Sequence, residues 1–154
     1  GGGGQSARRG AEDFLMVAEA GVGSALVTYL LKRTAARQRP ASYFGKEYGR
    51  DRHESFFSGH ASQSAAIAAS TTAVSFLRGY PFRWGVFATG FALTTTVGTL
   101  RVLSLKHWAS DVVVGWLVGI GIGVAMPLLL HPREGSGPSM SEQPAMLSLP
   151  LLYF

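Results

Sequence analysis

Four stretches of this chain are apolar and nearly free of charge, and they constrain its fold more than any other feature. They cover residues 14–31, 58–77, 84–100 and 112–130, and the first contains one acidic residue, Glu19. A helix needs about 20 predominantly apolar residues to cross a bilayer, with about 17 as the lower limit. Because four such stretches follow one another, the sequence predicts an all-α fold, a membrane-embedded bundle of about four long helices.

Small residues in two of these stretches predict close contact between helices. Glycines recur at every fourth position of the last stretch, at Gly115, Gly119 and Gly123, which is a spacing typical of packed membrane helices. The second stretch is rich in Ala, Ser and Thr and is only weakly hydrophobic. That weak hydrophobicity leaves a soluble bundle open as an alternative.

The sequence predicts one helical-bundle domain, over residues 11–131. Residues 1–10 begin with four glycines and show neither an initiator Met nor a signal-peptide pattern, so we expect a linker or the scar of a truncation there. Residues 132–154 open with a run rich in Gly, Pro and Ser, which predicts a flexible C-terminal tail.

Composition narrows the possible ligands. The chain has no Cys, so neither a disulfide framework nor a thiolate metal site is available. Its net charge of +5 is compatible with nucleic acid, but the basic residues show neither interleaved stacking aromatics nor a recognition-helix pattern. They concentrate in two loops instead. We therefore predict no nucleic-acid partner and expect a small anionic group as the ligand.

Polar residues cluster where the predicted helices begin and end. Two cations follow the first helix, a Ser-Gly-His sequence opens the second, an arginine closes the third, and a His–Asp pair opens the fourth. If the helices alternate in direction, all of these residues lie at one end of the bundle. They are Lys32, Arg39, Ser58, Gly59, His60, Arg101, His107 and Asp111.

The His–Asp pair fits nucleophilic catalysis. His107 and Asp111 are four residues apart, so at the start of a helix they share a face. A carboxylate that accepts a hydrogen bond from one imidazole nitrogen fixes the tautomer and leaves the other nitrogen as a nucleophile. The alternative is a capping pair, with the Asp near the positive end of the helix dipole.

The Ser-Gly-His sequence fits anion binding at a helix start. Unpaired backbone N–H groups there bind anions, and Gly59 lets the backbone approach a phosphate oxygen closely. His60 would then lie within reach of the leaving group as a general acid. The alternative is a simple N-cap formed by Ser58.

The cations fit a clamp for transferred phosphate. Negative charge spreads over three oxygens during phosphoryl transfer, and fixed cations such as Lys32, Arg39 and Arg101 would stabilise it. Pro40 forces an extended backbone at Arg39 and ends the helix. The alternative is snorkelling of cations at the membrane surface, which we expect for Arg33, Arg37 and Lys106.

Together these fragments resemble the phosphatidic acid phosphatase type 2 superfamily, whose pattern is K-x6-RP, PSGH and SR-x5-H-x3-D. The match spans residues 32–111. The resemblance implies an acid-phosphatase/haloperoxidase-like core and a metal-independent phosphohydrolase, so we also predict no metal and no cofactor. It implies that His107 forms a phosphohistidine, that Asp111 orients it, and that His60 protonates the departing oxygen. The implied phosphate ligands are Lys32, Arg39, Ser58, the Gly59 amide and Arg101.

The chain departs from the family pattern at two positions. Phe57 replaces the Pro before Ser-Gly-His, and Leu100 replaces the Ser before Arg101. These changes affect the rigidity of the loop and one possible hydroxyl donor, so we expect activity to survive. Membrane members of the family usually have six helices, and we expect the missing pair to precede Gly1.

The predicted function is removal of phosphate from a phosphorylated lipid or a pyrophosphate lipid. The resemblance favours a bacterial inner membrane, with the catalytic face outside the cytoplasm. Three alternatives stay open: a soluble periplasmic non-specific acid phosphatase, a vanadate-dependent haloperoxidase, and a membrane protein that only binds a phosphorylated lipid. The sequence selects neither one substrate nor an oligomeric state.

Overall fold

A computed structural model describes residues 2–32, 35–46 and 53–131, and within them it contains helices and no strands. The five helices are α1 (Gly2–Lys32), α2 (Pro40–Tyr43), α3 (Gly59–Leu77), α4 (Arg83–Leu103) and α5 (Ala109–Leu130). The four long ones correspond to the four predicted stretches, so the all-α prediction is confirmed. The predicted tail, residues 132–154, lies outside the described residues.

Helix α1 begins earlier than the sequence predicts. Residues 2–10 continue this helix and do not form the separate linker that we expected from the glycines. Residues 5–9 include good helix formers, and Arg8 Nε lies 3.0 Å from Glu12 Oε1. An ion pair four residues apart adds modest support to an exposed helix.

Helix α3 occupies the centre of the bundle and contacts α1, α4 and α5. Its buried side chains are almost all small. Because protein surrounds it, α3 needs little hydrophobicity of its own. Three other helices are long and apolar enough to cross a membrane, at Gly3–Lys32, Arg83–Leu103 and Ala109–Leu130. The second predicted stretch, residues 58–77, is thus an interior helix of weak hydrophobicity.

The glycine stripe of α5 packs directly on α3, as predicted. A Cβ atom at Gly115 would lie 2.7 Å from the Ser58 carbonyl oxygen, and one at Gly119 would overlap the Ser62 carbonyl oxygen. Side chains at these positions are excluded by backbone, which cannot rotate away. The stripe therefore brings the starts of α3 and α5 together.

We expect Gly119→Ala to destabilise the bundle because the new methyl group would force α3 and α5 apart. Overpacking of this kind costs about 1–3 kcal/mol. Gly121→Ala is the matched control, since a Cβ at Gly121 meets nothing within 4 Å. Thermal unfolding followed by circular dichroism in detergent measures the difference. Equal melting temperatures for the two variants would contradict this packing.

Contacts between the helices fix their directions. In α1 and α3, the hydroxyls of Ser24 and Ser62 lie 2.9 Å apart, while Ser70 Oγ donates to the Met16 carbonyl at 3.3 Å. These two helices are therefore antiparallel. Thr94 Oγ1 donates to the Ser64 carbonyl at 3.3 Å, and a Cβ at Gly90 would lie 3.0 Å from Ala68 Cβ, so α4 is antiparallel to α3. The glycine contacts make α5 parallel to α3. The predicted alternation of directions is confirmed.

The outer surface of the bundle is strongly apolar. Large side chains on α1, α4 and α5 are exposed, among them Phe14, Phe91, Leu117 and Leu129. Soluble monomers rarely expose apolar patches on this scale. The surface suits a lipid surrounding, in agreement with the three membrane-length helices.

Charged residues close the end of the bundle opposite the predicted site. Arg78 Nε donates to Asp13 Oδ1 at 2.8 Å, and its Nη2 donates to Glu12 Oε2 at 3.1 Å. The Tyr80 hydroxyl also donates to Asp13. This cluster joins α1 to the turn between α3 and α4.

Candidate active site

The cap of α4 determines where His107 lies. Leu105 has a positive φ of 55°, and its N–H donates to the Val102 carbonyl while the Lys106 N–H donates to Arg101. This is the pattern of a Schellman cap. The His107 N–H also reaches the Arg101 carbonyl, at 3.3 Å. The residues between Arg101 and His107 therefore form the helix cap, and the cap folds the chain back so that His107 lies against the Arg101 carbonyl.

Two backbone hydrogen bonds tie the remaining loops to this cap. The Ala41 N–H at the start of α2 donates to the Leu105 carbonyl at 2.9 Å. The Ser58 N–H, immediately before α3, donates to the Asp111 carbonyl at 3.0 Å. The polar residues from three separate loops are thereby assembled at one end of the bundle.

His107 is buried and oriented. It is 3% exposed, and its Nδ1 lies 2.7 Å from the Ser55 carbonyl oxygen. Because a carbonyl oxygen only accepts, Nδ1 carries the proton, and Nε2 keeps a free electron pair. Burial lowers the pKa of His107 to about 4, aided by the charges of Arg101 and Arg39 and opposed by the Ser55 hydrogen bond. The imidazole is thus neutral at neutral pH and available as a nucleophile.

Asp111 lies beside His107 but does not accept its Nδ1 proton, which differs from the contact that the sequence predicts. The Asp111 carboxylate accepts from Ser55 Oγ at 2.5 Å and from the Trp108 N–H at 3.1 Å through Oδ2. Its Oδ1 accepts from Arg37 Nη1 at 2.5 Å. The reason is its position in the first turn of α5, where the carboxylate turns back to cap the helix. The capping alternative is therefore confirmed as one use of Asp111.

Two arginines near the histidines each have a side-chain nitrogen without a hydrogen-bond partner. Arg39 is 7% exposed, and in the described part of the chain the buried Nε atoms of Arg39 and Arg101 have no partner. The charges of both arginines lower the pKa values of His107 and His60, so both lie close to those rings. A buried donor without a partner is costly. Two such donors on neighbouring cations are consistent with a site for an anion.

Lys32 and His60 complete the charged cluster. Lys32 Nζ lies 3.0 Å from Glu54 Oε2. His60 is the second residue of α3, and its pKa lies below the ordinary value because of partial burial and the charges of Arg101, Lys32 and Arg39. The structure thus brings together the predicted cations and both predicted histidines.

Ser58 and Gly59 have structural roles in addition to the predicted contact with phosphate. Ser58 is fully buried, and its Oγ accepts from the Ala61 N–H at 3.4 Å, so the N-cap alternative is confirmed. A Cβ at Gly59 would lie 2.8 Å from Thr28 Cγ2. The glycine therefore lets α1 pack against the start of α3. A phosphate contact for these two residues stays a prediction.

Ser55 and Arg37 belong to the site, although the sequence analysis did not identify them. Arg37 Nη1 binds Asp111 and donates to Ser110 Oγ at 2.9 Å, and its guanidinium lies over the Trp108 ring. It does not simply snorkel, as we expected. Its position two residues before Arg39 was a usable signal, because alternate residues of an extended segment share a side. No comparable signal marks Ser55, one polar residue in a polar loop.

The two departures from the family pattern lie in different surroundings. Phe57 is 1% exposed and packs edge-to-face on Phe56, with ring centroids 5.9 Å apart. It fills space beneath the loop that enters α3. Leu100, by contrast, is largely exposed. Within residues 2–32, 35–46 and 53–131 no group of three or more His, Asp or Glu side chains is arranged to hold a metal ion.

Comparison with known proteins identifies the family. A family model for the PAP2 superfamily matches residues 14–134, which is most of the chain and includes every predicted site residue. Searches of curated proteins and of solved structures returned no match. PAP2 proteins are phosphatases that act on phosphorylated substrates. With a matching helical bundle and a cluster of cations around two histidines, this chain belongs to the PAP2 superfamily of phosphatases.

Proposed function

We propose that this protein removes phosphate from a phosphorylated lipid through a covalent phosphohistidine formed at His107. One observation carries the proposal: Arg39 and Arg101 present buried, unpartnered Nε atoms beside a buried imidazole. Buried donors without a partner are costly, and the oxygens of a phosphate group would accept their hydrogen bonds. The orientation of His107 supports Nε2 as the atom that reacts.

In the first step, Nε2 of His107 attacks phosphorus, and the bond between phosphorus and the leaving oxygen breaks. His60 gives its proton to that oxygen, so a neutral alcohol or a protonated phosphate leaves. The phosphorylated ring is positively charged, because Nδ1 keeps its proton and donates it in the hydrogen bond to the Ser55 carbonyl. Meanwhile Lys32, Arg39 and Arg101 stabilise the charge on the three remaining oxygens.

In the second step, water attacks the phosphorus of the phosphohistidine. His60, now neutral, accepts a proton from that water, and the bond between phosphorus and Nε2 breaks. The electron pair of that bond returns to His107, and inorganic phosphate leaves. The same histidine thus serves as acid and then as base, which restores the enzyme.

Surroundings of the site support a lipid as the substrate. The pocket lies at the end of helices with apolar outer surfaces. Beside it, Tyr43, Phe44 and Trp108 form an aromatic cluster, with ring centroids 5.3 to 6.4 Å apart. Aromatic rings of this kind are enriched at the level of lipid headgroups. We place the catalytic face outside the cytoplasm, as the family resemblance favours.

The test measures phosphate release by the purified protein in detergent, from phosphatidic acid, undecaprenyl pyrophosphate and a water-soluble ester, with and without chelator. We expect a lipid to be the best substrate, activity to survive the chelator, and labelled phosphate to be trapped on the protein. Preference for the soluble ester together with extraction by alkaline wash would indicate the soluble phosphatase. Bromide oxidation after vanadate loading would indicate the haloperoxidase.

The pH dependence of kcat/KM follows from the two histidines. Activity should rise through about pH 4, where His107 loses its proton, and fall through a pH below 6.5, where His60 loses the proton that it must donate. Because the charge of Lys32 contributes to the low pKa of His60, Lys32→Met should move the falling limb to higher pH. Lys46→Met, in an exposed loop, is the control. The substrate's own titration is the same in both variants, so an unmoved limb would contradict the assignment of His60.

A further inference from the structure

We propose that Ser55 is a positioning residue that transmits the effect of Asp111 to His107. This inference rests on the proposed phosphohistidine mechanism. It concerns the link between the carboxylate and the imidazole, which the sequence predicts to be direct. In the structure, hydrogen bonds connect the Asp111 carboxylate to the His107 imidazole through Ser55.

Ser55 uses each of its polar groups in this network. Its hydroxyl donates to Asp111 Oδ2 at 2.5 Å, and its carbonyl oxygen accepts from His107 Nδ1 at 2.7 Å. Its N–H donates to the Arg37 carbonyl at 2.9 Å. The residue is 0% exposed, so water does not compete for these bonds.

The carboxylate of Asp111 accepts three hydrogen bonds, none of them from His107. Oδ2 accepts hydrogen bonds from the Ser55 hydroxyl and the Trp108 N–H, and Oδ1 accepts one from Arg37. Each partner holds the carboxylate against the first turn of α5. Asp111 is therefore a fixed anchor, and the residue that connects this anchor to the imidazole is Ser55.

Anchoring the Ser55 side chain fixes the position of its carbonyl. Asp111 holds the hydroxyl and Arg37 holds the N–H, so the carbonyl between them has little freedom to move. That carbonyl sets both the tautomer and the orientation of His107. A shift of about 1 Å in a reacting group can cost about 100-fold in rate, so loosening this carbonyl should slow the chemistry without disturbing the arginines.

We expect Ser55→Ala to lower kcat about 10- to 100-fold while KM changes less than threefold, by the same positional argument. The matched control is Ser62→Ala, because Ser62 is also fully buried and its hydroxyl also has a side-chain partner, the Ser24 hydroxyl, away from the site. Both variants lose one buried hydroxyl. Equal kcat values for them would overturn the inference.

A double-mutant cycle with Asp111→Asn tests the route itself. If Asp111 acts through Ser55, the double variant should be no slower than the slower single variant, within about threefold. Rate losses that multiply would show independent action and overturn the inference. Wild-type turnover is measured first: its absence defeats the proposed function, whereas normal turnover with an ineffective Ser55→Ala defeats only this inference.

Imidazole nitrogen NMR provides a test that does not depend on a folded Ser55 variant. In the wild-type protein, the His107 signals, assigned by their loss in His107→Gln, should report a proton on Nδ1 and none on Nε2. In Asp111→Asn the preference should weaken, while in Ser62→Ala it should persist. A wild-type proton on Nε2 would overturn the inference.

Discussion

His107→Ala should abolish turnover, lowering kcat by about 10⁴-fold or more and removing the trapped phosphoprotein. The reason is that in the proposed mechanism Nε2 of this residue forms the bond to phosphorus, and no other described imidazole has its buried, carbonyl-oriented geometry. The measurement is steady-state phosphate release, together with acid-quenched labelling.

The control is His53→Ala, which removes a histidine from an exposed loop position and should leave kcat unchanged. His107→Ala should still bind inorganic phosphate, because the arginines are intact. If His107→Ala keeps turnover, His107 is not the nucleophile. Turnover with no labelled wild-type protein would point to direct attack by water.

Arg39→Met should lower kcat/KM by about 100- to 1000-fold, the usual effect of losing one donor to a developing oxyanion. The same change should raise the melting temperature of the free protein. Arg39 is buried with an unpartnered Nε near another cation, Arg101, so a neutral side chain removes a desolvation cost and a repulsion. Activity and stability should therefore move in opposite directions.

Arg83→Met is the control, because Arg83 lies at the other end of the bundle with its guanidinium over the Phe76 ring. It should leave kcat/KM unchanged and should not raise the melting temperature. Added inorganic phosphate should stabilise the wild type more than Arg39→Met. Equal stabilisation of the two would contradict an anion site at Arg39.

Much of the fold could be predicted from the sequence, because membrane-length apolar stretches and a glycine stripe leave few arrangements. The spacing of Gly115, Gly119 and Gly123 predicted the packing surface of α5, and alternating helix directions predicted the end at which the polar residues meet. The role of α3 as an interior helix needed the structure, because weak hydrophobicity fits a soluble helix equally well. The helical start of α1 was hidden by its glycines.

The site was predictable where a residue's place follows from a helix end. That holds for Lys32, Arg101 and His107. It fails for contacts that depend on how a loop crosses the site, so the sequence paired Asp111 with His107 and left out Ser55. The Asp111 carboxylate could accept from the His107 imidazole or from the backbone at the start of α5. Because Asp111 lies in the first turn of α5, it accepts from the backbone and caps the helix.

The distance between the charged cluster around Arg78 and the catalytic end of the bundle matches the thickness of a bilayer. In α1 the cluster holds Asp13, and the catalytic end begins at Lys32; at 1.5 Å per residue the two are about 28 Å apart along the helix. A bilayer's hydrocarbon core is about 30 Å thick. In the lipid phosphatase that we propose, this length would set the catalytic end at the depth of lipid phosphates, so that a substrate could be dephosphorylated while its chains stay in the membrane.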